Sequence, residues 1–112
     1  MRNVISPELV ARFKTDESGQ PAFIEAGGLK HYKIVFELKN TPDDAYAATF
    51  ELDPTYYDSV RTLRPESDGT FRLETTAYGD YDVTVRVRTR EGEVPVAGNL
   101  TRALENSRQV MA

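Results

Sequence analysis

The chain has 112 residues, of which 39% are hydrophobic and 29% charged, enough for one domain with a small two-layer core and too few for a second. Its formal net charge is −4 and its arginines and lysines are dispersed, which argues against a nucleic-acid binder, since such proteins carry a basic stripe. Cysteine is absent, which removes disulfides, thiolate zinc sites and thiol nucleophiles and fits a reducing compartment. The opening MRNVISPELV lacks the apolar run of a secretory signal, and no window approaches a membrane span, so a cytoplasmic protein with no membrane partner is expected.

Taken in chain order, Ser6-Pro7-Glu8 predicts a short N-terminal helix: a hydroxyl cap, proline at the first helical position and a carboxylate at the positive end of the dipole. Leu9, Val10 and Phe13 would form its apolar side. Thr15 to Gln20 reads as a polar loop and Gly27-Gly28 as a second break. From Lys30 the period becomes two. Tyr32, Ile34, Phe36 and Leu38 share one face of a strand, with His31, Lys33, Val35 and Glu37 on the other. Asn40 to Asp44 is a turn, and Tyr46, Ala48, Phe50 and Leu52 then predict the inward face of a second strand. Ser59 to Leu63 predicts a short strand with Val60 inward. Ser67-Asp68-Gly69 is a tight turn, Phe71 and Leu73 mark another strand, and Tyr81, Val83, Val85 and Val87 line the inner face of the next. Arg90-Glu91-Gly92-Glu93 leads as a hairpin into a short strand around Val94 to Val96. Asn99 caps a terminal helix with Leu100, Ala103, Leu104, Ser107 and Met111 on one stripe. That helix either packs on the strands or leads toward something else. Short strands separated by turns predict an all-β antiparallel sandwich with a short N-terminal and a C-terminal helix.

The chemistry-bearing residues do not assemble into a catalytic set. The single histidine, His31, stands on the outward face of a strand, and no serine elbow or glycine-rich phosphate loop accompanies it. An enzyme is therefore not expected, nor is a cofactor. Asp43-Asp44, Asp53 and the Asp80/Asp82 pair lack the spacing of a calcium loop and read as backbone caps of turns, so no metal is expected. Arg86, Arg88 and Arg90 read as outward charges that discourage edge aggregation. Three tyrosines remain, Tyr56, Tyr57 and Tyr78, placed at turns instead of on inward strand positions. Flat rings on loops supply stacking area at low entropic cost, which suits recognition; they also suit covering the end of a core.

Two segments carry a resemblance that separates these readings. AATFELDPTY, Ala47 to Tyr56, and FRLETTAYGDYDVTVRVRT, Phe71 to Thr89, resemble the YEATS domain, and more particularly its bacterial relatives. The residues concerned are Leu52-Asp53-Pro54-Thr55-Tyr56 after one strand and Tyr78-Gly79-Asp80-Tyr81 before another. The resemblance implies an immunoglobulin-like sandwich that recognises acylated lysine. On that analogy, Tyr56 and Tyr78 would sandwich the flat acyl-amide, Thr55 would supply a hydroxyl, and backbone donors around Tyr78 and Gly79 would meet the carbonyl. Tyr57 and Asp53 would flank the pocket. Where eukaryotic readers often carry histidine, this chain has Asp53, which could orient Thr55, hold a loop amide or repel an acidic ligand.

Rings alone would also attract a lysine ammonium. Selection for the amide would come from backbone donors that an ammonium leaves unpaired. The expected partner is an acylated peptide or a small acyl-amide. The alternative is a structural or sensor domain with a disused pocket, joined to an effector or self-associating through its C-terminal helix. The expected organisation is an N-terminal helix and loop over 1–20, the sandwich over 21–98 and the C-terminal helix over 99–112.

Overall fold

A computed structural model of the chain describes residues 7–54, 59–77 and 79–111, with side chains through Glu105. The elements in chain order are β1 (Glu8–Phe13), β2 (Phe23–Ala26), β3 (Leu29–Lys39), β4 (Ala47–Glu51), β5 (Val60–Leu63), β6 (Arg72–Ala77), β7 (Asp82–Thr89), β8 (Gly92–Asn99) and α1 (Leu100–Met111).

The long alternating run that the sequence predicts from Lys30 becomes β3, the axis of the first sheet. β6 pairs along one edge of it, from Tyr32↔Ala77 to Glu37↔Arg72. β1 and β2 share the other edge end to end, β1 from Glu8↔Lys39 to Phe13↔Ile34 and β2 from Phe23↔Tyr32 to Ala26↔Leu29. Between them Lys33 bonds both flanks of the excursion: its carbonyl accepts from Lys14 N at 2.9 Å and its N–H donates to Ala22 O at 2.9 Å. Gly27 and Gly28 turn β2 into β3 with φ of 60° and 79°, the paired positive values of a tight hairpin turn that suits the twist of the strands. The second sheet has the order β5-β4-β7-β8, antiparallel throughout.

Alternation along each strand turns one set of side chains inward, and these sets meet as the core. Leu9, Ala11, Ile34, Phe36, Leu38, Phe71 and Leu73 face Ala48, Phe50, Val83, Val85, Val87 and Val96. Phe36, Phe50 and Phe71 are 0% exposed, and each such ring contributes roughly 1.5–3 kcal/mol by leaving water. On the outer face of the second sheet Thr49 and Thr62 share a hydrogen bond of 2.9 Å across β4 and β5.

Three expectations are corrected. The predicted N-terminal helix is a strand from Glu8, and the sandwich therefore starts well before residue 21; Ser6 lies outside the described residues. An isolated helix of so few residues before a polar loop does not nucleate, whereas β1 satisfies its backbone along β3 and buries Leu9, Val10 and Ala11. Val60 points outward and is 58% exposed; the partly buried packing residue on that strand is Leu63. Tyr46 precedes β4 and is 56% exposed. Tyr46 keeps the inward parity of Ala48 and Phe50 but precedes the strand, whereas Val60, opposite Glu51, shares the outward face of Thr62.

The C-terminal helix forms as expected. Asn99 caps it, its Oδ1 accepting from Arg102 N at 3.2 Å. Leu100 and Ala103 are buried in the sandwich core, with Leu104 packed against it, and the helix lies along β1. Ser107 and Met111, the rest of the predicted stripe, lie beyond the described side chains.

Candidate ligand-binding site

The two loops that the sequence singles out leave the same end of the sandwich. β4 and β7 are hydrogen-bonded neighbours with Glu51 opposite Thr84. The connection after β4 and the connection before β7 are thereby side by side. The first is closed at its root by Leu52 N donating to Ser59 O at 2.7 Å, with Leu52 buried and Asp53 half-buried. Thr55, Tyr56, Tyr57 and Tyr78 lie outside the described residues. Of the predicted site residues, the structure thus locates Asp53 on one loop and Gly79 on the other.

Gly79 is informative. Among the described residues, its chain neighbours apart, a Cβ built there would meet no atom within 4 Å.

The loop that contains Gly79 is tied to the start of α1. Leu100 N donates to Tyr81 O at 3.0 Å. Thr101 N and Thr101 Oγ1 donate to Asp80 Oδ1 at 3.1 and 2.8 Å. Asn99 Nδ2 bridges Asp80 Oδ2 and Asp82 Oδ1, each at 3.1 Å. The side-chain hydrogen bonds of Asn99 and then Thr101 hold the Asp80 carboxyl below its usual range against a smaller opposing effect of desolvation. The sequence places Asp80 as a turn cap. It caps a helix distant in sequence, and nothing in its local spacing names Thr101 as the partner.

Sequence reasoning missed a third feature at this end. The Phe36 ring meets Tyr81 edge-on, centroids 6.4 Å apart, and β3 extends toward its start to Tyr32 beside Ala77. There Tyr32 lies between Phe13 and Phe23, with ring centroids 5.9 Å away in each case. The Lys30 ammonium lies 4.8 Å from the Phe23 centroid. Phe13 and Phe23 are 36% and 41% exposed. The visible signal was the aromatic character of Phe13 and Phe23; their shared face appears only with the β1 and β2 registers.

A groove of about 780 Å³ lies between the start of β1 and the end of β8, lined by Glu8, Leu9, Asp82, Thr84, Asn99 and Arg102 among others, so that it borders the Asn99–Asp82 part of the Asp80 tie. Among the described residues no cluster of histidine, aspartate or glutamate could hold a metal ion, and no helix is long and apolar enough to cross a membrane.

The prokaryotic YEATS domain profile matches residues 32–100. The chain belongs to the prokaryotic YEATS domain family. The match runs from Tyr32 in β3 to Leu100 at the first position of α1, so it contains both candidate loops and leaves β1 and β2 outside. Among solved structures this YEATS domain is similar to the Yaf9 YEATS domain recognising an H3K122suc peptide, with 15% identity and TM-score 0.59 over 85% of this chain and 71% of that one. The yeast AF-9 homolog protein Yaf9 gives 19% identity and TM-score 0.57 over 86% and 70%. The Yaf9 YEATS domain bound to H3K27ac gives 20% identity and TM-score 0.57 over 88% and 78%. These likenesses carry the fold, an immunoglobulin-like β-sandwich. No curated protein matches the chain.

Proposed function

We propose that this YEATS domain is a non-enzymatic cytoplasmic module that binds a planar acyl-amide, most simply an acylated lysine in a peptide. Tyr56 and Tyr78 are its two walls, Thr55 its hydroxyl, and the backbone donors around Tyr78 and Gly79 its carbonyl contact; Asp53 and Tyr57 border it. The observation that carries this reading is the pairing of β4 with β7, Glu51 opposite Thr84, in a chain of this family: it brings the roots of the two motif-bearing loops to one end. The glycine at position 79, where an added Cβ would meet no described residue beyond its chain neighbours, supports a ligand that approaches the backbone closely. Two of the similar structures are Yaf9 domains with H3K27ac and H3K122suc peptides, which favours an acyl-peptide over a free metabolite.

Titration with acetyl-lysine and crotonyl-lysine peptides, followed through tyrosine-ring and Gly79 amide NMR signals, tests the reading. Saturable shifts are expected with the acylated peptides and not with the unmodified one. Tyr78→Ala should reduce the affinity about tenfold or more, given the stacking area removed. Absence of a saturable shift at millimolar peptide rejects the reading.

A further inference from the structure

We propose that Asp80, Asn99 and Thr101 are positioning residues that make the Gly79–Asp82 segment and the first turn of α1 one unit, so that the geometry of the ligand loop depends on docking of the C-terminal helix. Every helix leaves the first four N–H groups without partners inside the helix. In α1 the first, Leu100 N, goes to Tyr81 O. The second, Thr101 N, goes to Asp80 Oδ1. The third, Arg102 N, goes to Asn99 Oδ1. Two of these acceptors belong to the loop rather than to the residue preceding the helix. The loop is thus a large part of the helix cap, and the same bonds hold the loop.

Side chains reinforce the arrangement from the helix side. Thr101 Oγ1 adds a bond to the oxygen that its own N–H already uses, and Asn99 Nδ2 spans the Asp80 and Asp82 carboxylates. A carboxylate at the positive end of a helix is favourably placed as well. Loop and helix start cannot separate without exposing several donors together. α1 is in turn seated on β1 and in the core through Leu100 and Ala103, which connects the loop bearing Gly79 to an element far from it in sequence. Coupling of this kind is reciprocal: what orders the loop stabilises the helix, and what releases the helix loosens the loop.

The consequence for ligand affinity rests on the site reading above; the coupling itself does not. Both are tested on the full chain by NMR. Thr101→Val removes the hydroxyl and retains the shape; Thr101→Ser retains the donor. Thr101→Val should speed amide exchange at Leu100, Thr101 and Arg102 by about three- to tenfold. It should also lower the order of the Gly79 and Tyr81 amides while the slowest-exchanging β3 amides keep their protection. Thr101→Ser should restore both, and Asp80→Ala should exceed Thr101→Val on both sides. If Thr101→Val alters only helix amides, or Asp80→Ala only loop amides, the proposal is overturned. Where the wild type binds acetyl-lysine peptide, Thr101→Val should weaken it several-fold, and unchanged affinity refutes the positioning role. Where the wild type does not bind, the site reading fails, and the exchange results alone decide the coupling.

Discussion

Glu37 and Gly79 illustrate how single residues on this sandwich separate into those that hold it and those it could exchange. Glu37 lies on the outer face of β3, its Oε1 accepting from Arg72 Nε at 3.1 Å and Arg12 Nη2 at 3.3 Å, while Arg72 Nη1 also reaches Glu66 at 2.9 Å. Partial desolvation works to raise its pKa, but the hydrogen bond and charge of Arg72, then those of Arg12, outweigh it and leave the carboxyl below its usual range. A depressed carboxylate contributes stability that is present above its unfolded pKa, about 4.3, and that is lost as pH falls through the lower folded value. Glu37→Gln should therefore lower the urea midpoint near neutrality and flatten its fall below about pH 4.5; parallel acid limbs for the two proteins would contradict the ion-pair account. Gly79 gives the opposite expectation. With no described atom beyond its chain neighbours within 4 Å of an added Cβ, Gly79→Ala should leave stability unchanged or raise it by about 0.4–1 kcal/mol through the unfolded state. Its acyl-peptide affinity should fall if a ligand approaches that backbone.

At the scale of elements, strands whose inward residues keep a period of two were legible, and strands without that mark were not. β7 alternates cleanly because Val83, Val85 and Val87 enter the core while their neighbours do not, and β3 and β4 keep the same period in their inward residues, Ile34 and Phe36, Ala48 and Phe50, although Val35 and Thr49 between them are also buried. β2 has four residues, all exposed, so its sequence carries no periodic mark. It exists through its pairing with β3 and the Gly27-Gly28 turn. β1 buries three consecutive residues, Leu9 to Ala11, and a consecutive apolar run does not distinguish strand from helix; the Ser-Pro-Glu cap signal then favoured the wrong element. The turn offers a direct check, since Gly28 has φ of 79°. Gly28→Ala should cost about 1–2 kcal/mol, the penalty of a left-handed L-residue, read as a lower denaturant midpoint with exchange accelerated first in β2. A change confined to β1 would mean that β1 and β2 do not divide that edge of β3 as described.

Across the whole molecule, the candidate site was legible as two motifs and illegible as a place. Residues 52–56 and 78–81 announce themselves by type and order, but that the two loops leave one end of the sandwich follows from the β4–β7 register. The fixing of the second loop depends on Asp80 meeting residues 99 and 101, which no local pattern reports. The same contacts bear on the role of α1. An assembly helix would leave its apolar stripe available, whereas Leu100 and Ala103 are 6% and 1% exposed within their own sandwich. Ending the chain at Asn99 should then remove a buried leucine and alanine, uncover part of β1 and release Asp80 from Thr101. Core truncations of that extent cost about 3–5 kcal/mol, a large share of the roughly 5–15 kcal/mol typical of a small domain. The shortened protein should unfold at much lower urea and show disordered Gly79 and Tyr81 amides, while light scattering of the full chain should give one protomer mass at all concentrations. A shortened chain of unchanged stability, with a full-length mass that rises with concentration, would instead make α1 an assembly element and detach it from the ligand loop.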